Sequence, residues 1–161
     1  MENFSHASEI LKMNIRELID RAEHPEKMIR QILRDLEQEL QHSMQELSKV
    51  NFISQNAEKE LAEAKRKSAQ CEETAKNALI QGNSDSARDA MMQKVSADED
   101  ISSCKEALES VSAQIPSLTA QVNALRSKIK EARACQATLT DAKVNSELEK
   151  LMQEINDKKG E

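Results

Sequence analysis

The stretch IRQILRDLEQELQHSMQELSKVNFISQNAEKELAEAKRKSAQCEETAKNA, residues 29–78, decides the fold. Its apolar and small residues recur at alternating steps of three and four: Ile29, Leu33, Leu36, Leu40, Ser43, Leu47, Val50, Ser54, Ala57, Leu61, Ala64, Ser68, Cys71, Ala75, Ala78. The same rhythm resumes at Ile101 and runs through Cys104, Leu108, Val111, Ile115, Leu118, Val122, Leu125, Ile129, Ala132 and Gln136 to Leu139. A heptad seam keeps one stripe of a helix facing its partner, because its period is slightly shorter than the helical turn. Two such seams, separated by Gly82-Asn83-Ser84-Asp85-Ser86, predict an antiparallel coiled-coil hairpin over 28–139 with its tip at 82–86. A hairpin of this kind is a lever or an assembly subunit rather than a pocket.

Composition agrees. Of 161 residues, 1% are aromatic and 32% charged, and there is no Trp or Tyr, so a thin aliphatic seam must replace the aromatic core of a compact domain. Two glycines and two prolines leave little turn chemistry, which favours a few long helices. A net charge of −6 excludes nucleic acid as the expected partner, since phosphate binding needs clustered Lys and Arg. No apolar run approaches the roughly 20 residues of a membrane span. The N-terminal residues include Glu2 and Glu9 and have no continuous apolar core, so they do not read as a secretory signal. Cys71, Cys104 and Cys135 lie on or beside the seam without a C-x-x-C pair and read as buried small hydrophobes in a reducing compartment.

Catalytic and metal chemistry find no support. His6, His24 and His42 share no helical face at ligand spacing. The only glycines, Gly82 and Gly160, make no phosphate loop, and the many carboxylates suit exposed helix faces with i,i+4 pairs. We expect no enzyme activity, no cofactor and no metal. Met91 and Met92, just past the tip, read as seam filling, with adaptable contact residues as the other option.

Upstream of the hairpin the pattern changes. At 100° per residue, Phe4, Ala7, Leu11, Ile15, Leu18 and Ala22 form one stripe with Ile19 at its edge, opposite Glu9, Lys12, Arg16 and Asp20. An amphipathic helix is expected from Asn3 to Ala22. Its apolar face has three destinations: the hairpin, another subunit, or a membrane interface, and packing on the chain itself is the ordinary one. Residues 23–27, Glu23-His24-Pro25-Glu26-Lys27, form an elbow, because Pro is disfavoured inside a helix and welcome at its first position. The second helix should run from Pro25 to about Gln81, with Gly82 left-handed at its end. Ser86 with Asp89, or Ser84 or Asp85, should cap the third. Pro116 reads as a kink in that helix. Beyond Thr138-Leu139-Thr140-Asp141 the seam weakens, so residues 140–161 should form a short helix through Val144, Leu148, Leu151, Met152 and Ile155 and then a frayed tail. Centring the turn between Ser84 and Asp85 sets Leu61 against Leu108, Leu47 against Val122, and Leu40 against Ile129.

Three segments, in order, resemble the phage-shock protein A family, which includes the vesicle-inducing protein in plastids and is related to ESCRT-III membrane-remodelling proteins. The elbow Glu23-His24-Pro25-Glu26-Lys27-Met28-Ile29-Arg30 is similar to its acidic-Pro-x-Lys-apolar pattern, which singles out Pro25 and Lys27. Around the tip, Ala78 to Ala90 resembles an Ala-Leu…Gly…Asp-x-Ala-Arg-x-Ala stretch, and Leu125 to Ala132 resembles a Leu-x-x-Lys-Ile-x-Glu-Ala run. The resemblance covers Phe4 to about Leu139. It implies an all-α peripheral protein on the cytoplasmic face of the cell membrane, assembling with copies of itself in membrane stress, maintenance or remodelling. It further implies lipid insertion by the N-terminal helix, through Phe4, Leu11, Ile15, Leu18 and Ile19. Glu2, Glu9, Glu17 and Asp20 balance Lys12, Arg16 and Arg21, so electrostatic recruitment has little to work with. The rival reading is a coiled-coil adaptor for a protein partner, including a transcriptional activator of the phage-shock response.

Overall fold

A computed structural model describes residues 9–160. Every regular element among them is helical: a helical turn at 9–12, then α1 (Ile15–Asp20), α2 (Pro25–Ile80) and α3 (Ser84–Lys159). The long helices α2 and α3 contribute to two compact units, one of Met1–Met44 with Ala120–Glu161 and the other of Gln45–Thr119.

In the unit of Gln45–Thr119, α2 and α3 pack antiparallel, because Ser68 reaches Asp98 while the later Cys71 reaches the earlier Gln93. The buried seam is made of small side chains: Val50, Ser54, Ala57, Ala64, Ser68, Cys71, Ala75 and Ala78 on α2, and Ala87, Ala90 and Ala97 on α3. Leu61 and Leu108 are half-buried. Small residues bury little apolar area, so this unit gains less from packing per turn than a leucine seam would. Its polar fixing point is a relay in which the Ser68 hydroxyl donates to Asp98 Oδ1 at 2.6 Å and Lys94 Nζ donates to Asp98 Oδ2 at 2.8 Å. Lys94 first and Ser68 second hold the Asp98 carboxyl below its ordinary pKa, and Asp98 in return raises that of Lys94.

The turn follows from two residues. Gly82 has φ +77, a left-handed conformation that only glycine adopts freely. That lets the Asn83 N–H reach the Ala78 carbonyl at 2.8 Å and the Gly82 N–H reach that of Leu79 at 3.1 Å, the paired bonds of a Schellman ending. Asn83 Oδ1 then accepts from the Ser86 N–H at 3.1 Å and so caps α3. The cap expected at Ser84, Asp85 or Ser86 is therefore Asn83. Met91 and Met92 are exposed rather than in the seam, which passes through Ala87, Ala90 and Ala97.

In the other unit Lys143 pairs with Glu26 at 3.4 Å, Arg133 with Glu37 at 2.8 Å, and Gln121 donates to Ser43 at 3.1 Å, again antiparallel. Here the side chains are larger. Ile29, Ile32, Leu33 and Leu36 of α2 and Leu125, Ile129, Ala132 and Cys135 of α3 form one buried cluster, and Leu40 and Leu139 pack against it. Glu39 lies on the same face of α2, 7% exposed, and its Oε1 has no hydrogen-bond partner. The short helix expected at 140–161 is not a separate element but the end of α3, which is continuous to Lys159. Thr138 and Thr140 bond back to the carbonyls of Ala134 and Gln136, which satisfies their hydroxyls inside a helix. Past Lys143 the stripe of Val144, Leu148, Leu151, Met152 and Ile155 is exposed.

Candidate membrane-binding segment and its groove

The segment singled out by its amphipathic pattern is not one helix. It breaks at Met13–Asn14, and the Asn14 side chain accepts from the Glu17 N–H at 3.3 Å to start α1 afresh. Asn14-Ile15-Arg16-Glu17 carries the capping signature of Asn followed three residues later by Glu, the signal in the sequence that marks this break. Lys128 of α3 holds it from the other side, donating from Nζ to the Met13 carbonyl at 2.7 Å and to Glu131 at 3.2 Å. A carbonyl at a helix end lacks an intrahelical donor, and the lysine supplies one.

The break changes which side chains share a face. Ile10, Ile15 and Ile19 are 3%, 0% and 6% exposed and belong to the same cluster as Ile29, Ile32, Leu36, Leu125 and Ile129. Leu11 packs at its margin, and Leu18 is half-buried. Of the three destinations for the apolar face, the helix pair is the one occupied. Ile10 was outside the expected stripe because a continuous helix would turn it away. Phe4 lies outside the described residues.

At the elbow, Pro25 is the first residue of α2, and the Met28 N–H bonds the His24 carbonyl at 3.0 Å. Pro25 is half-buried and Lys27 exposed. Between the segment and the first turns of α2 runs a groove of about 570 Å³ whose apolar lining is Ile10, Met13, Leu18, Met28 and Ile32, and whose polar lining is Glu9, Glu23, His24, Lys27 and Gln31. Of the remaining singled-out residues, Ile129 belongs to the same cluster and the half-buried Leu40 packs against it, Gly82, Asn83, Ser84 and Asp85 are at the exposed turn, Leu47 is half-buried and Val122 is buried. Among the described residues no group of acidic, His or Cys side chains is arranged to hold a metal, and no helix is long and apolar enough to cross a membrane.

The model of the PspA/IM30 family matches residues 2–160. The chain belongs to that family. It is 26% identical over 157 residues to the membrane-associated protein Vipp1 of Nostoc punctiforme, covering 95% of this chain and 61% of that one. It is likewise 26% identical over 153 residues to the Vipp1 of Synechocystis, covering 92% and 57%. A phage shock protein A homolog of Bacillus subtilis is 33% identical over 99 residues, 62% of this chain and 44% of the relative. The chain thus spans about three-fifths of the Vipp1 relatives it matches. The elbow, the tip and the Leu125–Ala132 run all fall inside the matched range.

Proposed function

We propose that this PspA/IM30 protein binds membranes peripherally through its N-terminal segment and assembles with copies of itself to maintain or remodel stressed membrane. Phe4, Leu11, Ile15, Leu18 and Ile19 enter the lipid interface, on the inner face of the cell membrane, while the helix pair stays in water. The observation that carries this reading is the position of an apolar-faced segment on its own short element, joined to α2 by an elbow rather than continuous with it. Two relatives named as membrane-associated support it. Burying such side chains is worth about 1.5–3 kcal/mol each, against about 1 kcal/mol per basic residue near an anionic surface. With acidic and basic residues balanced, apolar insertion decides the affinity. Assembly is supported by the exposed stripe Val144, Leu148, Leu151, Met152 and Ile155, whose steps are those of a seam awaiting a second helix.

Co-sedimentation of the full chain with small anionic vesicles tests the reading. Leu11→Glu, which sets a charge in the inserting face, should abolish binding, and Lys12→Ala should change it little. Moderate salt should weaken binding only modestly. Retention of binding by Leu11→Glu, or its loss in moderate salt, would favour the adaptor reading. That second reading has its own observation: Leu79, Ile80 and Met92 near the turn are exposed, as side chains awaiting a protein partner would be.

A further inference from the structure

Two of the side chains assigned to lipid, Ile15 and Ile19, are already closed inside the folded unit, with Leu11 and Leu18 at its margin. Ile15 is fully buried and Ile10 and Ile19 nearly so. One side chain cannot occupy the cluster of α2 and α3 and a bilayer at once. We propose that docking of residues 9–20 on α2 and α3 is a latch: the protein in water holds its insertion segment shut, and lipid binding requires the segment to leave the helix pair. The inference rests on the membrane-binding reading above and adds a regulation to it.

Three features support a latch rather than a permanent core. The docked segment is bent at Met13–Asn14, so the stripe of Leu11, Ile15, Leu18 and Ala22 that the sequence writes is not assembled while docked. Straightening residues 9–20 into one helix on a lipid surface would align it, and the segregated pattern has a use only in that released form. The docking also leaves one margin unfilled, since the groove beside Ile10, Met13 and Leu18 is open and Met13 and Met28 stay exposed. Finally, a cross-element polar contact from Lys128 to the Met13 carbonyl, on an exposed edge, holds the bend. A segment that binds only when released has its apparent affinity scaled down by the released fraction. Weakening the latch must therefore tighten lipid binding.

Lys128→Ala gives that argument a sign. It removes the donor to Met13 and also one cation. With a permanently free segment, losing a cation near an anionic surface would weaken binding or leave it unchanged. With a latch, the loss of one charge-assisted hydrogen bond should raise the affinity for phosphatidylcholine vesicles containing phosphatidylglycerol about fivefold. Unchanged or weaker binding, with helix content retained by circular dichroism, overturns the proposal. A covalent lock supplies the second arm. In a chain with Cys71, Cys104 and Cys135 replaced by Ala, Met13→Cys and Lys128→Cys are joined by a bis-maleimide carrying a reducible disulfide. The locked protein should bind the same vesicles at least tenfold more weakly, and reduction should restore binding. Equal binding before and after reduction removes the latch and leaves lipid binding standing. Absence of binding in the reduced and parent proteins alike removes the membrane reading, and the latch with it.

Discussion

Leu125→Ala measures how much of the stability resides in the aliphatic cluster. Leu125 is 0% exposed and sits among Ile29, Leu36, Ile129 and Ala132. The change removes three carbons, worth about 0.8 kcal/mol each in transfer, or roughly 2.4 kcal/mol. A residual cavity of about 50 Å³ adds roughly 1 kcal/mol at about 24 cal/mol per Å³. The expected destabilisation is about 3–4 kcal/mol, seen as a drop of roughly 6–15 °C in the thermal midpoint at about 2–4 °C per kcal/mol. Leu108→Ala provides the contrast within the unit of Gln45–Thr119. That leucine is half-buried, so about half the loss is expected. Urea unfolding followed by far-ultraviolet circular dichroism compares the two variants. A cost below about 1 kcal/mol for Leu125→Ala, or one no larger than for Leu108→Ala, would refute the assignment of this cluster as the main store of packing energy.

Gly82→Ala should cost about 1 kcal/mol in thermal or urea melts through the backbone alone, because φ is +77 and an added Cβ meets nothing within 4 Å. Glu39→Met should raise the melting temperature, since it replaces a buried carboxylate with an unpartnered oxygen by an apolar chain of similar length; a lower midpoint would show that the carboxylate is satisfied in solution. The Asp98 carboxyl, depressed by Lys94 and Ser68, contributes stability that is complete above the unfolded-state pKa, near about 4, and is lost as pH falls through the lower folded value. Asp98→Asn should therefore lower the midpoint at neutral pH and converge with the parent in acid, whereas a gap that persists in strong acid would contradict the relay.

The helix pair was legible because a seam is a period, and periods survive reading without coordinates. All the seam positions from Val50 to Ala78 are buried or half-buried, and Gly82 takes the left-handed turn that its place after a long helix suggested. Local polar chemistry was less legible. Asn83 outcompeted Ser84, Asp85 and Ser86 as the cap because the Schellman ending fixes Asn83 with its side chain over the first turn of α3. The weakening of the seam beyond Thr138–Asp141 suggests a separate short helix, but the helix continues, with the Thr138 and Thr140 hydroxyls satisfied along it. The pattern before the elbow fits one helical phase throughout. Asn14 resets that phase, bringing Ile10 into the core and leaving Leu11 and Leu18 at its margin. Lys128 could not be found from spacing at all, because its contact joins residues 115 positions apart.

Depth-resolved fluorescence tests the claim of lipid insertion most directly. The chain has no Trp, so Leu18→Trp introduces a single indole on the half-buried margin of the segment. Small anionic vesicles should shift its emission to the blue, and lipids brominated along the acyl chain should quench it strongly. Quenching should vanish when Leu11→Glu is added to the same chain. Vesicle binding without quenching by brominated acyl chains would contradict insertion of this face and leave the membrane contact to another part of the molecule.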